Sequence, residues 1–590
     1  MDDKGRSRVL DAGIVLVLLT AALLINWRLI RDGITGLGDV RWHLTWLQHF
    51  SRQVSEGIGY PRWLAGTNFG YGSPTFVFYP PLIYYVGTGL KMLGFTFEQT
   101  VNILFTGGVF LSGISFYLLG RFRWGQVSGL FGALAYMLSP GLLGVVHGGG
   151  LAPLYSFVWL PLLVWLMDKS VKCVCARRAL TLVWMLVALT HLPSLLIYAI
   201  ASFPYTLFRL RHQPWRVKVP VLLTAPIGWG LAAFFLVPAI LEQRYINIDY
   251  MLASQDGFKS AMMSVTDTLR DGWRNRTVQQ WLACLTFALI AAVGYEQPKS
   301  RKAVGIVLLI AIAIVFLISD WSWPLWKIAP IIKKIEYSTR INRLLYLAQA
   351  ALCAMAVQAL IAPRKLTLRK LTLRKLTLRK RLVQVSLMAV VCAVLFGNFK
   401  AHHLEVRKFP GLYSSGNGVM LNREWIETIV SDPFSDRLID VPEYRPRLAV
   451  EQNFVKEVQT GAGLPEVKST VSGSLPTPQP HQPKFEVIEG EATVETLAWK
   501  SEFRKLRVDA KTDASIALRV YAYPAWRMAV EGERYPTQTA YDGRIQLALP
   551  SGQHEVTLSY GMTPAFWLGI CASALSGLAF IGIYCYRPWS

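Results

Sequence analysis

Residues 9–27 of this 590-residue chain read VLDAGIVLVLLTAALLINW. As a helix, a run of this length and composition crosses the roughly 30 Å hydrocarbon core of a bilayer. It is too long for the apolar part of a secretory signal and lacks a small-x-small cleavage site, so it predicts a retained first membrane helix. Lys4, Arg6 and Arg8 precede the run and favour a cytoplasmic N-terminus.

Comparable apolar runs recur along the chain, and 53% of its residues are hydrophobic, which excludes an ordinary soluble enzyme. Because backbone groups inside a bilayer must be hydrogen-bonded within the segment, these runs predict helices. We expect a polytopic α-helical membrane protein with about 12–13 membrane helices. The predicted spans lie near 9–27, 100–120, 126–144, 152–168, 178–191, 193–209, 218–241, 278–295, 303–319, 342–362, 382–398 and 564–586, and the run 76–94 is ambiguous.

The net charge of +24 comes from short loops between apolar runs, because residues 399–563 hold 19 Lys+Arg and 21 Asp+Glu. This is the positive-inside pattern, so the excess indicates topology and anionic membrane lipids rather than nucleic acid. Loops 121–124, 169–178, 209–218, 297–302 and 363–381 are then cytoplasmic, which suits twelve crossings. A thirteenth crossing at 76–94 would put Arg121 on the wrong side. We therefore expect 76–94, opened by Pro80-Pro81, to be re-entrant or partly interfacial; alternatively, a short span within 178–209 does not cross.

This topology places segments 28–75, 145–151, 242–277 and 320–341 outside the cell, together with the large region 399–563. That region replaces long apolar runs with short alternating stretches, such as 516–521, 544–549 and 555–560, which predict antiparallel strands of a small β-sandwich. The predicted organisation is a transmembrane domain at 1–398, an extracytoplasmic β-rich domain at 399–563 and a last membrane helix at 564–590.

The segment after the first helix carries Gly38-Asp39-Val40-Arg41-Trp42-His43. Residues 39–56 predict an amphipathic helix on the outer membrane surface, with Trp42 and Trp46 as interfacial anchors. Asp39 and His43 are four residues apart and share a face of that helix. A carboxylate there serves either as a general base toward an acceptor hydroxyl or as a ligand of a divalent cation that bridges a phosphate. The alternative is that Asp39 only caps the helix.

Two further histidines fall at predicted outer ends of membrane helices. His147 precedes Gly148-Gly149-Gly150, whose exposed amides suit a phosphate; the alternative is a flexible turn. His191 lies between two short apolar helices, where an ionisable group is either functional or a neutral residue at a helix end.

Segment 323–340 mixes aromatic and basic residues at a predicted outer interface. Tyr337 and Arg340 lie at its end, and an arginine there can hold the phosphate of a lipid carrier through two hydrogen bonds. An interfacial belt with snorkelling cations has the same composition.

Several motifs together resemble those of the bacterial membrane proteins labelled 6-pyruvoyl-tetrahydropterin synthase-related, and they are also similar to those of the YfhO-like membrane proteins. The likeness rests on Gly38-Asp39 with His43, Tyr71-Gly72-Ser73-Pro74, Phe78-Tyr79-Pro80-Pro81-Leu82, Thr190-His191-Leu192-Pro193, Leu325-Trp326 with Arg340, Glu443-Tyr444-Arg445-Pro446-Arg447, Tyr523-Pro524-Ala525-Trp526, Glu531-Gly532 and Pro550-Ser551-Gly552-Gln553-His554-Glu555-Val556.

Both groups resemble the GT-C superfamily of polytopic glycosyltransferases. That resemblance implies a catalytic acid in the first external loop, carried onto Asp39, and inversion at the anomeric carbon. It implies a polyprenyl-phosphate sugar donor and an acceptor hydroxyl that is activated directly or through Mg²⁺ or Mn²⁺ at Asp39. We expect His43 to assist Asp39. For such an enzyme we further predict substrate contacts from Tyr71, Tyr79, His147, His191, Tyr337 and Arg340. At the next external helix end, where the superfamily commonly has a second acid, this chain has His147 and glycines.

The sequence therefore predicts a glycosyltransferase at the outer face of a bacterial cytoplasmic membrane, with an extracytoplasmic lipid or glycan acceptor. The alternative is a non-enzymatic protein that binds lipid-linked glycans or assists envelope assembly. A transporter is less favoured, because few ionisable residues fall at mid-membrane depth and no inverted repeat is visible. The chain carries no P-loop, which argues against a nucleotide-driven pump.

Overall fold

The computed structural model describes residues 3–32, 39–246, 248, 258–259, 261–271, 276–328, 334–335, 337–361, 373–408, 441, 444–446, 483–540 and 542–586. Its α-helices before residue 260 are α1 (Asp3–Ile25), α2 (Trp27–Asp32), α3 (Val40–Ser55), α4 (Thr75–Phe78), α5 (Leu82–Met92), α6 (Phe97–Trp124), α7 (Gln126–Met137), α8 (Pro140–His147), α9 (Leu151–Ser170), α10 (Val174–Ala188), α11 (Leu192–Leu210), α12 (Trp215–Leu222), α13 (Thr224–Leu231) and α14 (Ala233–Leu241). Those that follow are α15 (Val265–Asp271), α16 (Arg276–Gly294), α17 (Pro298–Ile318), α18 (Trp323–Ile328), α19 (Asn342–Ile361), α20 (Leu373–Lys408) and α21 (Pro564–Ile581).

Seven of the described helical segments are long and apolar enough to cross a membrane: Gly5–Ile25, Phe97–Trp124, Leu151–Ser170, Pro298–Ile318, Ser338–Ile361, Gln384–His402 and Pro564–Cys585. The number rises to nine if each of two bent pairs, α7 with α8 and α12–α13 with α14, forms one span. Every predicted span overlaps at least one observed helix. The protein is a polytopic helical membrane protein, as predicted, while the figure of 12–13 crossings stays a prediction.

The ambiguous run 76–94 is broken at its two prolines. Helix α4 ends at Phe78, Tyr79 is extended, and α5 has 11 residues. At 1.5 Å per residue α5 is about 16 Å long, roughly half of what a bilayer crossing needs. The run therefore does not cross as one straight helix.

Helix α3 occupies the predicted position, but it does not lie on an open surface. Its mid-section, residues 43–51, is buried throughout. Trp46, which the sequence suggested as an interfacial anchor, is 4% exposed and packs against Phe76, Tyr79 and Tyr84. The prediction of an interfacial role for Trp46 is therefore wrong, because later segments cover the helix.

Three basic ends of helices meet at one end of the bundle. The Arg121 guanidinium lies 2.7 Å from Asp11 near the N-terminus, and Arg123 and Arg209 both pair with the buried carboxylate of Asp168. These residues lie in or beside loops that the charge pattern assigns to the cytoplasm. The structure thus gathers the predicted cytoplasmic loops 121–124, 169–178 and 209–218 on one side.

The C-terminal region forms two antiparallel sheets, ordered β1-β4-β8-β7 and β2-β3-β9-β5-β6. The strands are β1 (Phe485–Glu489), β2 (Ala492–Lys500), β3 (Phe503–Ala510), β4 (Ala514–Tyr521), β5 (Trp526–Val530), β6 (Glu533–Tyr535), β7 (Gln538–Thr539), β8 (Arg544–Leu549) and β9 (Gly552–Tyr560). Apolar residues of both sheets, such as Val508 and Leu547, are buried in one cluster. This arrangement confirms the predicted β domain.

The β domain docks on segment 56–78, which follows α3. The Tyr521 backbone N–H donates to the Tyr71 carbonyl oxygen over 2.9 Å. The fully buried Trp63 packs against Tyr523, Trp526 and Tyr560, with ring centroids 5.6–5.9 Å apart. Helix α20 continues to Lys408, ten residues past the predicted domain boundary at 398.

Candidate functional site

A cavity of about 480 Å³ lies between four helices: α8, α9, α16 and α19. The first turns of α9 and α19 contribute to it, and so does Asp39, the residue that directly precedes α3. The residues that line it are Asp39, Pro140, Gly141, Gly144, Val145, Gly148, Gly150, Pro153, Phe157, Gln280, Tyr337, Thr339, Arg340, Asn342, Arg343, Leu345 and Tyr346. It therefore combines residues that are up to 307 positions apart in the chain, from Asp39 to Tyr346.

The glycine-rich wall of the cavity comes from a bend between α7 and α8. The two helices meet at 44°, and Pro140 stands at the start of α8, where its missing N–H costs no hydrogen bond. Gly141 lets the Tyr346 ring approach the helix, since a Cβ at this position would overlap that ring. Gly144 faces the cavity instead, because no described residue lies within 4 Å of a Cβ built there.

Asp39 stands at the rim of the cavity, directly before α3, and its side chain is exposed. Its backbone N–H donates to the Gly148 carbonyl oxygen over 3.0 Å, which joins the first loop to the glycine segment. The carboxylate makes no capping hydrogen bond to α3. The structure thus gives no support to a capping role for Asp39.

His43 lies one turn further along α3 but does not line the cavity. It is 3% exposed; its Nε2 accepts from the Leu151 backbone N–H over 3.2 Å, and its Nδ1 lies 2.6 Å from the Tyr84 hydroxyl. These contacts require the neutral tautomer with the proton on Nδ1. Burial lowers the pKa of His43 to about 3, which keeps the ring neutral.

The basic side of the cavity is formed by Arg340 and Arg343, three residues apart around the start of α19. Arg340 is half-buried, donates to the Ile335 carbonyl oxygen over 3.0 Å and stacks near the exposed Tyr337 ring. Arg343 is 4% exposed and lies 5.6 Å from the Phe157 ring centroid. In the described part of the chain, no carboxylate lies within ion-pair distance of Arg343, and its Nε has no hydrogen-bond partner.

Two carboxamides complete the lining. Gln280 of α16 is 5% exposed, and Asn342 is the first residue of α19. Within the described residues, Gln280 Oε1 and Asn342 Oδ1 are buried and have no hydrogen-bond partner.

The remaining predicted site residues lie outside the lining. His147 Nε2 is 2.8 Å from His402 Nδ1, and His191 caps α11 by accepting from the Ser194 N–H over 3.2 Å. Tyr71 packs against Tyr521 of the β domain, and Tyr79 packs against Trp46. The cavity thus brings together Asp39, Tyr337 and Arg340, and it leaves out His43, His147, His191, Tyr71 and Tyr79.

No group of three or more His, Cys, Asp or Glu side chains in the described ranges could hold a metal ion. Asp39 is the one carboxylate among the described residues of the lining. A divalent cation at Asp39 would therefore take its other ligands from substrate and water, as Mg²⁺ commonly does.

The sequence reasoning missed Arg343, Asn342 and Gln280. Arg343 does carry a signal: it is an ionisable residue within a predicted membrane helix, three positions from Arg340 and so on the same face. The two carboxamides carry none, because an amide at the start of an apolar run is ordinary until its surroundings are known.

Comparison with known proteins gives a family match. A family model described as "6-pyruvoyl-tetrahydropterin synthase related domain; membrane protein" matches residues 76–402, more than half of the chain. The matched region includes every described cavity residue except Asp39. No curated protein matches this chain.

Two solved structures are similar over part of the fold. A single-particle cryo-EM structure of arabinofuranosyltransferase AftD from Mycobacteria shares 15% sequence identity with a TM-score of 0.44, and covers 67% of this chain and 27% of its own. A structure of a mutant of that enzyme gives 14% identity, a TM-score of 0.43 and the same coverage. This chain thus spans about a quarter of the length of the proteins it resembles.

Proposed function

This chain belongs to the family of membrane proteins with a 6-pyruvoyl-tetrahydropterin synthase related domain, and we propose that it acts as a GT-C-like membrane glycosyltransferase. Its donor would be a polyprenyl-phosphate sugar, and its acceptor an extracytoplasmic lipid or glycan. The observation that carries the proposal is a single cavity that combines one carboxylate, Asp39, with two guanidinium groups, Arg340 and Arg343.

The basic groups suit the phosphate of the donor. Arg343 is buried, no described carboxylate pairs with it, and it faces a cavity that holds a second arginine. A buried cation without a counter-ion is costly, and an anionic ligand removes that cost. The N-terminus of the 20-residue helix α19 opens at the same place and adds its partial positive charge.

The carboxylate suits the acceptor. Asp39 would take the proton of an acceptor hydroxyl as that oxygen attacks the anomeric carbon from the face opposite the phosphate. The bond between the anomeric carbon and the phosphate oxygen breaks, and its electron pair leaves with the phosphate. Arg340 and Arg343 would stabilise the charge that develops on the departing phosphate. The product is the glycosylated acceptor with inverted configuration.

The position of the cavity supports a site on the outer face. Helix α9 begins at Leu151 beside the cavity and ends next to Asp168, which binds the basic helix ends. Its 20 residues span about 30 Å, the thickness of the bilayer core. If the basic loops are cytoplasmic, as the positive-inside rule predicts, the cavity and the β domain face the outside.

The proposal is tested by native mass spectrometry of lipids that co-purify with the wild type and with Asp39→Asn, with Asp267→Asn as an exposed control. We expect glycosylated polyprenyl phosphate to accumulate on Asp39→Asn, because the donor binds but is not consumed. The same variant should abolish sugar transfer in membranes. Bulk phospholipid alone on all three proteins would contradict the proposal and favour a non-enzymatic assembly role.

A further inference from the structure

The cavity holds more polar groups than a phosphate can pair. Gln280 Oε1, Asn342 Oδ1 and Arg343 Nε are all buried, and within the described residues none has a hydrogen-bond partner. All three belong to side chains that line one cavity, and they come from two helices that pack together, α16 and α19.

Buried groups of this kind are expensive to leave unpaired. Each costs on the order of 1–3 kcal/mol when it has lost water and gained no partner. Protein atoms cover all three, so each side chain must turn toward the cavity that it lines before water or a ligand can pair it. A ligand that fills the cavity can then pair with one guanidinium N–H and two carboxamide groups.

A ligand that carries hydroxyl groups beside its phosphate matches that pattern. Phosphate oxygens accept hydrogen bonds, so they pair with Arg343 and with a carboxamide NH2 group, but not with the two carboxamide oxygens that lack a partner among the described residues. An alkyl chain pairs with neither. A hydroxyl both donates and accepts, so it satisfies a carboxamide in either orientation of its oxygen and nitrogen atoms.

We propose that Gln280 and Asn342 form a subsite that recognises the hydroxyl groups of the transferred sugar, an assignment that rests on the proposed donor. Asn342 and Arg343 both line the cavity from the start of α19, so one ligand can present its phosphate to the guanidinium and a neighbouring group to the carboxamide. A glycosyl phosphate has its hydroxyls at that position. The two carboxamides then determine which sugar is accepted.

The test measures dissociation constants for two kinds of probe: undecaprenyl phosphate, and its glucosyl, mannosyl and galactosyl esters. The proteins are the wild type, Gln280→Met, Asn342→Leu, Arg343→Met and, as a matched control, Gln297→Met, which changes an exposed glutamine outside the cavity. Because Gln280→Met and Asn342→Leu remove unpaired polar groups, their thermal stability should equal or exceed that of the wild type.

We expect each carboxamide variant to raise the dissociation constant of at least one glycosyl ester about tenfold, which corresponds to the loss of one hydrogen bond. The dissociation constant of undecaprenyl phosphate should stay within twofold of the wild-type value. Arg343→Met should weaken the binding of both kinds of probe. Unchanged affinity of the carboxamide variants for every ester, with the Arg343→Met effect retained, would overturn the subsite and leave the proposed function standing. If Arg343→Met binds both kinds of probe as the wild type does, the subsite and the proposed donor fall together.

Discussion

The imidazole of His43 accepts a hydrogen bond from the backbone N–H of Leu151, with 3.2 Å between the two nitrogen atoms. This bond ties α3, which Asp39 precedes, to the helix whose first turn lines the cavity. Together with the bond from the Asp39 N–H to Gly148, it holds the carboxylate against the glycine-rich wall. For the proposed sugar transfer, we therefore expect His43 to be a positioning residue.

Replacing His43 should change the turnover number more than substrate affinity. His43→Leu removes the acceptor, and a displaced Asp39 should lower kcat of sugar transfer about 10- to 100-fold. His43→Gln offers an amide oxygen at a similar position and should restore most of the rate. Because burial keeps the pKa of His43 at about 3, the pH–rate profile above pH 5 should be the same for the Gln variant and the wild type. If His43 were the general base, His43→Gln would instead remove one titration step from the pH–rate profile.

Substitutions at Gly144 and Gly141 test two different effects: occupation of the cavity and packing of its wall. Gly144→Leu should fold normally, since a Cβ there meets no described residue, but its side chain enters the cavity and should weaken donor binding. Gly141→Ala should instead lower the melting temperature, because its Cβ overlaps the Tyr346 ring. Melting curves and binding of undecaprenyl phosphate check both. Normal binding by Gly144→Leu would show that the ligand lies elsewhere.

Asp168 should matter for stability. Its carboxylate is 1% exposed, accepts from the Tyr205 hydroxyl over 2.7 Å and pairs with Arg123 and Arg209, both 37% exposed. Breaking a fully buried ion pair lowers the free energy of unfolding by about 3–5 kcal/mol. Because these two arginines can turn toward water, we expect Asp168→Ala to lower it by roughly 2 kcal/mol.

The control for Asp168 is Asp267→Ala, which breaks an exposed pair with Arg270. It should change the free energy of unfolding by less than about 0.5 kcal/mol. Equal losses in the two variants, measured by unfolding in mixed micelles, would contradict the role assigned to Asp168.

Glu502, at the turn between β2 and β3, should make stability depend on pH. Burial raises its pKa to about 7, with the Arg62 charge opposing and the Glu56 charge adding to the shift. A carboxyl that binds its proton more tightly when folded stabilises the protein at low pH, and that stability is lost as pH rises from about 4.5 to about 7. Glu502 therefore contributes a fall in the melting temperature over this interval.

Glu502→Gln should remove this contribution, and Glu495→Gln, in an exposed pair with Arg507, should not. The wild-type curve also contains the contributions of His43 and His49, whose lowered pKa values act in the opposite direction below pH 6.5, and subtracting the Glu502→Gln curve removes them. Parallel curves for wild type and Glu502→Gln would contradict the prediction.

Residue type and local pattern were enough to select Asp39, Tyr337 and Arg340, which share the cavity. The same reasoning also selected His43, because a spacing of four puts it on the face of Asp39, although α3 turns that position toward Tyr84 and Leu151. Gln280 and Asn342 could not be identified from the sequence, because the lack of a hydrogen-bond partner depends on the surroundings of a residue and not on its type.

Hydropathy, charge and period-two alternation are properties of neighbouring residues, so the amino-acid sequence was sufficient to identify the membrane class, the approximate positions of the helices and the β domain. Which polar residues share a cavity follows from the folded arrangement alone. Asp39, Gln280 and Arg343 are separated by long stretches of chain, and their meeting depends on how α8, α9, α16 and α19 pack. Packing of that kind is set by contacts between distant segments, which no local pattern records.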